Sequence, residues 1–363
     1  PKSKEACDNW DDITFLNKAK VTIQGKITNT ALLLLGKEEA THLLQPATAK
    51  ISWILKDVNN IELDYEHFGP PFILNTTALF NKIRNLTYRY IADASLFPVE
   101  IKTYEPYVIR EALHNCIAHQ DYGLHGRITV IEKPEELVFT NLGKFLPGNI
   151  KTVIEQDAPQ AVYRNAFLSD AMVNLNMIDT IGSGIKRMFL EQRNRFFPMP
   201  DYDLSDTQKV EVRISGKIWD ENYTRLLMNN TDLDLKTVIL LDSVQKSIPI
   251  DKTEIKVLRR AHLIEGRKPN LYVAASIAKA TGGKTDYIKN RGFDNEYYRD
   301  FIIKYIKKFN TASRQDIEEL LMDKLPEVLS EQQKKDKVKN MLQYLKNKEV
   351  IELNEDKEWK LKD

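Results

Sequence analysis

The sequence predicts a mixed α/β body followed by small helical units that each end in a two-stranded hairpin. Three observations predict it. Strand-period segments such as "KISWILKD", "RITVI" and "KVEVRIS" alternate with segments of helical period over residues 1 to 217. Glycine-containing turns, "NLGKF" and "IGSGIKRM", punctuate that alternation. Beyond Gly216, short capped helices come in sets, each followed by a small flap.

Size and composition bound the rest. A chain of 363 residues exceeds what one hydrophobic core normally serves, so roughly two to four domains are expected. With 42% apolar and 29% charged residues the chain can bury real cores, and 53 basic against 52 acidic residues leave a net charge of +1 that selects no partner. Cys7 and Cys116 are too few and too far apart for a disulfide framework or a cysteine metal site, which points to a reducing, cytoplasmic setting. The longest apolar run, "ALLLL", falls far short of the ~20 residues of a spanning helix, and the start carries no signal-peptide core, so no membrane partner is expected. Proline at position 1 suggests a trimmed chain with sequence upstream of Pro1.

Residues 1 to 67 read as a small α/β segment ending in two strands, "KISWILKD" and "IELDY", around the turn "VNN". Residues 68 to 217 read as the central domain. After "GPP", the run "FILNTTALFNKIRNLTYRYI" has helical spacing, and "ASLFPVEIKTYEP" is a proline-marked connection. From Pro106 to about His119, Ile109, Ala112, Leu113, Cys116 and Ile117 form the stripe of an amphipathic helix. A hairpin follows in "RITVI" and "LVFT" around "EKPEE", then "NLGKFLPG", then a long polar stretch to a helix opened by the glycines of "IGSGIKRM". "KVEVRIS" closes the domain as a strand.

In residues 218 to 295, Asp251 and Glu254 make a D-x-x-E cap for "KTEIKVLRRA", and "HLI" and "LYVAA" around "EGRKPN" form a flap. In residues 296 to 363, Ser313 caps "RQDIEELLM", Ser330 with Gln333 makes a capping box for the next helix, and "VIEL" with "WKL" supplies the second flap. Both sets read as winged helices.

Chemistry concentrates in the central domain. Glu111, Asn115 and His119 recur every fourth residue, so a carboxylate and an amide oxygen share one helix face, a spacing that suits nucleotide hydrolysis and equally the wet side of an ordinary helix. Gly182 and Gly184, flanking Ser183, stand where a helix begins, and free backbone N–H groups there can hold phosphate oxygens, though glycines also serve plain turns. Scattered histidines make a metal site unlike any usual ligand set, and His114 faces away from Glu111 and His119.

Taken in order, "EALHNCIAHQDY", "FTNLGKFLPG" and "RNAFLSDAMVNLNMIDTIGSGIKRM" resemble the GHKL ATPase fold, a Bergerat-type α/β sandwich shared by gyrase, MutL and the histidine kinases. The likeness is greatest to the GHKL-type domain of RecG-like or Schlafen-type (AlbA-like) transcriptional regulators, and less specifically extends over most of the chain. It implies ATP and Mg²⁺ as cofactors. Glu111 would orient water, Asn115 would hold Mg²⁺, Asn141 and Gly143 would form the adenine-facing turn, and Gly182, Ser183 and Gly184 would cradle phosphates beyond a lid from Lys144 to Thr180. His119 would lie beside the nucleotide, near Asp121, Tyr122, Arg127 and Arg164. Two departures stand out: Asn141 replaces the aspartate of the family's D-x-G-x-G, and Phe145 replaces its last glycine. An uncharged amide still accepts from adenine but more weakly. The resemblance also makes residues 1 to 67 the tail of an AlbA-like domain or the connector after it.

Winged helices imply DNA, with a helix in the major groove and basic residues on phosphates. Lys252, Lys256, Arg259, Arg260, Arg267 and Lys268 cluster in the first set, and Lys334, Lys335, Lys337 and Lys339 in the second, the latter flanked by acidic residues. Winged helices used for protein contacts or homo-oligomer formation are the alternative. A P-loop-like "AKATGGKT" at 278 to 285 would instead make a helicase motor, but Ala278 replaces its first glycine and too little chain follows for the parallel sheet such a domain needs. The resulting expectation is an ATP-binding, DNA-binding regulator with slow Mg²⁺-dependent hydrolysis that orders the lid and repositions the winged helices. A non-enzymatic DNA-binding or scaffold protein with a vestigial nucleotide pocket is the alternative.

Overall fold

The structure is a computed structural model and describes residues 8–90, 99–155, 163–178, 183–274, 295–322, 325, 330–354 and 358–362. It divides into two units, one within Pro1–Trp219 and Leu233–Leu235, the other within Asp220–Asp232 and Lys236–Asp363.

In the first unit α1 (Asp12–Lys18), the short pair β1 (Thr22–Ile23) and β2 (Lys26–Ile27), α2 (Asn29–Leu35) and a 3-10 turn (Glu38–Leu44) lead to β3 (Ile51–Lys56) and β4 (Glu62–Phe68). Then come α3 (Phe72–Lys82), β5 (Thr87–Tyr90), β6 (Val99–Lys102), α4 (Pro106–His119), β7 (Ile128–Glu132), β8 (Glu136–Leu142), α5 (Ile150–Glu155), α6 (Ala166–Asn174), α7 (Gly184–Asn194), β9 (Asp201–Asp203) and β10 (Lys209–Ser215).

Six of these strands form one sheet in the order β4-β3-β7-β8-β10-β9, antiparallel except for the parallel pair β3 and β7. That parallel pair needs a crossover, and α3 and α4 lie in it. Alternation then sorts the faces: Ile128, Val130 and Glu132 are buried while Thr129 and Ile131 are half-buried, and Val210, Val212 and Ile214 repeat the pattern. The registers align Trp53, Val130, Phe139, Val212 and Tyr202 in one row across the sheet. Against this inner face α4 buries Val108, Ile109, Ala112, Leu113, Cys116 and Ile117 in one continuous core. Each such Val, Leu or Ile contributes about 1.5–3 kcal/mol by leaving water.

Two expectations need correction. A boundary at residue 67 would cut the sheet, because β3 and β4 pair into it through Ile51 to Phe68; strand hydrogen bonding overrides the turn signal of "GPP". The helix expected to run through "TYRYI" ends at Lys82, where Ile83 takes an extended backbone, and Thr87–Tyr90 pairs with Val99–Lys102 as a ribbon. Thr and Tyr favour that extended form over a helix. The polar stretch between Gly143 and the second glycine pair also contains α5 and α6.

The second unit contains α8 (Glu221–Asn229), α9 (Leu235–Gln245), α10 (Lys252–Arg260), β11 (Ile264–Arg267) and β12 (Asn270–Val273), then α11 (Asn295–Phe309), β13 (Thr311–Ala312), α12 (Arg314–Met322), α13 (Glu331–Asn347), β14 (Ile351–Leu353) and β15 (Trp359–Leu361). Both expected capping boxes are present: Asp251 accepts from Glu254 N and Ser330 from Gln333 N, each with the reciprocal side-chain bond. Each cap contributes about 1 kcal/mol. The last flap is a three-stranded sheet in the order β13-β15-β14, its first strand being two residues long and invisible to periodicity. Tyr298, Ile302 and Ile306 of α11 pack with Ile317, Leu321, Val338 and Leu342 in a separate core. The "AKATGGKT" segment lies outside the described residues. Among the described residues no helix is long and apolar enough to cross a membrane.

Candidate functional site

Helix α4 carries the predicted polar face, and the fold turns it toward the N-terminus of α7. Glu111 is buried, and its Oε1 accepts a hydrogen bond from Asn115 Nδ2 at 3.1 Å. The same carboxylate lies on the backbone of Gly184: a Cβ there would fall 1.7 Å from Oε1. Gly184 is the first residue of α7, with Ser183 as its N-cap and no side-chain cap, so the negative carboxylate meets the positive end of the helix dipole. Glu111, Asn115, Ser183 and Gly184 are therefore brought together. Gly182 lies outside the described residues, as do residues 156–162 and 179–180 of the lid expected from Lys144 to Thr180.

Beside this cluster a cavity of about 40 Å³ opens between α4 and the inner face of the sheet. Ala112, Cys116, Val210 and Val212 make it apolar, while Asn115, His119 and Asn141 place polar groups on its wall. The loop Lys144–Pro147 closes it, with Phe145 tilted against Tyr202 at a ring distance of 6.1 Å. A void of that size holds on the order of one or two waters. Drug-sized ligands occupy sites of about 300–1,000 Å³, so a nucleotide needs the loop to move.

Arg164 fastens the loop. Its Nη1 pairs with Asp121 at 2.7 Å and its Nη2 donates to Lys144 O at 3.0 Å. Gly143 sits beneath it with φ of +103°, and a Cβ there would meet the guanidinium at 2.8 Å. The positive φ favours glycine here, and a side chain would also push the Arg164 guanidinium aside. The Nε of Arg164 is buried and has no hydrogen-bond partner among the described residues.

Asn141 is buried on β8, and its Nδ2 bonds Leu142 O at 3.1 Å. Two residues that motif reading passes over hold the C-terminal end of α4 in place. Fully buried Gln120 bonds Gly126 O at 2.8 Å and accepts from Leu142 N at 2.8 Å. Asn165 Nδ2 donates to Ala118 O and Gln120 O, at 3.0 and 2.8 Å. Polar residues adjoining a helix end are the only sequence signal either of them gives.

Two histidines share α4 but face different ways. His119 stands at the cavity, stacked on Tyr163 at 6.4 Å, and burial with the nearby Arg164 charge lowers its pKa to about 4. His114 lies outside the cavity wall with Nδ1–H donating to Met177 O at 2.5 Å; burial, aided by Arg110, lowers its pKa to about 4. Both are neutral in the fold at pH 7. The unfolded chain protonates them below about pH 6.5, so their stabilisation is complete above that value and is lost as pH falls from 6.5 toward 4. Urea unfolding across that window should show the first unit losing a few kcal/mol, on the order of 1.4 kcal/mol per unit of pKa difference. His114→Gln should flatten part of the slope.

In the second unit Lys252, Lys256, Arg260 and Arg267 are exposed, and the first two with Arg259 share one side of α10. Arg259 ties this helix to the hairpin by donating to Gly266 O at 2.5 Å, and Lys268 Nζ bonds Ile250 O at 2.8 Å. The four lysines of α13 do not assemble into a solvent-facing patch. Lys334 bonds Met322 O at 3.0 Å, Lys335 pairs with Glu331 at 2.9 Å, and Lys337 lies 5.2 Å over Tyr298 with its pKa lowered by burial. Lys339 is exposed. A helix of 3.6-residue period cannot present consecutive lysines on one side, so the core takes some of their stems. Among the described residues no group of three or more His, Cys, Asp or Glu could hold a metal ion.

No known protein family matches the chain, and no curated protein does. Among solved structures it is similar to the DIP2311 protein of Corynebacterium diphtheriae, with a TM-score of 0.51 and 15% identity over 76% of this chain and 60% of that one. The chain thus spans less than two thirds of that structure's length, and at this identity the likeness concerns the mixed α/β fold alone.

Proposed function

We propose that the first unit is a GHKL-type sandwich that binds Mg·ATP, and that the second is a pair of winged helices that binds DNA through α10 and its hairpin. The observation that carries the reading is the contact of Glu111, hydrogen-bonded to Asn115, with the N-terminus of α7 at Gly184, beside the cavity walled by Asn115 and Asn141. Helix N-termini favour phosphate oxygens by dipole and by free N–H groups. Asn115 offers one amide oxygen for Mg²⁺, which suits an ion that keeps waters and takes its other ligands from phosphates. When bound, Mg²⁺ neutralises charge on the phosphate oxygens. In this reading Glu111 orients a water and accepts its proton, and the Nε of Arg164, which has no hydrogen-bond partner among the described residues, donates to the nucleotide. Entry requires release of the Arg164 latch and outward movement of Lys144–Pro147.

The test is thermal unfolding with a non-hydrolysable ATP analogue. A Mg²⁺-dependent stabilisation of about 2.7 kcal/mol is expected at a hundred times Kd, lost in Asn115→Ala. Glu111→Ala should keep binding and lose phosphate release. Absence of any shift would favour the second reading, a DNA-binding or scaffold protein whose pocket is vestigial, for which the 40 Å³ cavity and the Phe145 plug speak. DNA association is expected to weaken with salt in either case, and Lys256→Ala or Arg260→Ala should each lower the slope of log K against log salt by about 1. Unchanged slopes would remove α10 from the interface.

A further inference from the structure

Strand β4 stands at the edge of the sheet, paired on one side only, with β3. Its backbone groups sort by strand alternation. Ile128 N donates to Lys50 O at 3.0 Å, so Ser52 and Ile54 also turn their N–H and C=O groups toward β7, and Ile51, Trp53 and Leu55 turn theirs toward β4. Their register partners Phe68, Glu66 and Asp64 answer them, which leaves the N–H and C=O groups of Tyr65 and His67 pointing away from the sheet. In keeping with this, the Tyr65 N–H bonds the neighbouring carboxylate, Asp64 Oδ1, at 2.8 Å. Glu62 through His67 are all exposed, so the edge is open to solvent.

The two faces of this edge differ in charge. On the side shared with α3, Asp64 and Glu66 each lie 3.1 Å from Lys82 Nζ, two carboxylates on one ammonium, which leaves one negative charge in excess. Glu62 adds a carboxylate with no ion pair among the described residues. On the opposite side Tyr65 is exposed, tilted against His67 at a ring distance of 5.4 Å, and its register partner is the half-buried Ile54. A second copy of β4 does not complement such an edge: paired antiparallel about Tyr65, Asp64 of one copy would face Glu66 of the other, like charges directly opposite. We propose that β4 takes up an extended peptide of a partner protein as a seventh strand, one in which lysine or arginine alternates with valine, isoleucine or an aromatic residue. Its basic side chains pair with Asp64 and Glu66, its apolar ones cover Tyr65 and Ile54, and its backbone bonds Tyr65 and His67. The site uses no residue of the nucleotide cavity.

The experiment measures fluorescence anisotropy of a labelled nine-residue peptide that alternates lysine and valine, titrated with the full chain at constant ionic strength. Saturable binding is expected. A peptide of the same composition with its lysines and valines in separate blocks, and one alternating glutamate with valine, should each bind at least tenfold more weakly. N-methylation of the valine amides abolishes binding if the strand adds antiparallel, and of the lysine amides if it adds parallel; methylation of the other set leaves binding intact. These peptides probe the unaltered protein, so the test survives a variant that fails to fold. Glu66→Lys should weaken binding at least tenfold, and Asn115→Ala should leave it unchanged, so that failure here and failure of the ATP reading are distinguishable. Equal binding of the blocked peptide, equal effects of the two methylated sets, binding lost in Asn115→Ala, or a dimer of the chain alone that the peptide dissociates would each overturn the proposal.

Discussion

Replacing Glu132 with alanine is expected to destabilise the first unit by about 3 kcal/mol. Glu132 is 2% exposed on the inner face of β7, where an apolar side chain would be the simpler choice. Its Oε2 accepts the indole N–H of buried Trp53 at 3.1 Å, and its Oε1 pairs with Arg84 Nε at 2.7 Å, with the Arg84 backbone N–H at 3.3 Å. Removing the carboxylate leaves the indole donor without a partner and opens a void beneath it, while Arg84, half exposed, regains water. Exposure of that arginine is why the figure stays at the low end for a broken buried pair. Glu132→Gln keeps an acceptor for Trp53 and should cost about 1 kcal/mol. Urea unfolding measures both; a loss below 1 kcal/mol for alanine would show that the buried acid does not fasten the α3 end to the sheet.

The second large effect lies at Gly184. Alanine there would place Cβ 1.7 Å from Oε1 and 2.5 Å from Cδ of Glu111, so the carboxylate must leave its bond to Asn115 or α7 must shift. Alanine also improves helix propensity by up to about 1 kcal/mol, which opposes the clash. The expected net loss is about 2 kcal/mol, with Mg·ATP stabilisation abolished if the proposed site is right. Removing the side chain in Glu111→Ala frees the space. In that background Gly184→Ala should be neutral or stabilising, a coupling of about 2–3 kcal/mol. Additive effects in the double-mutant cycle would separate Glu111 from the α7 N-terminus and remove the contact on which the functional reading rests.

What could be read from the chain and what could not divide along a physical line. Local signals were sufficient for α4, whose stripe of Ile109, Ala112, Leu113, Cys116 and Ile117 is buried as its period requires, and for the two capping boxes at Asp251 and Ser330, because both depend on residues within two turns of each other. Strands β3, β7 and β10 were equally legible from alternation. The helix expected over "TYRYI" failed because aromatic residues satisfy either period, and only pairing with Val99–Lys102 selects the strand. At the candidate site, sequence alone determined that Glu111 and Asn115 share a helix face, and it marked Gly143 and Gly184 as glycines and residues 252–268 and 334–339 as the basic clusters of the second unit.

Only the tertiary structure decided that Glu111 rests on Gly184, that Arg164 locks the loop over a nearly closed cavity, that Glu132 is buried under Trp53, and that β4 takes the edge of the sheet. The reason is that periodicity fixes which way a side chain leaves its own element, whereas its neighbour is set by which elements the shared core draws together. Residues distant along the chain carry no mark of that choice until the sheet and α4 have buried their common apolar face.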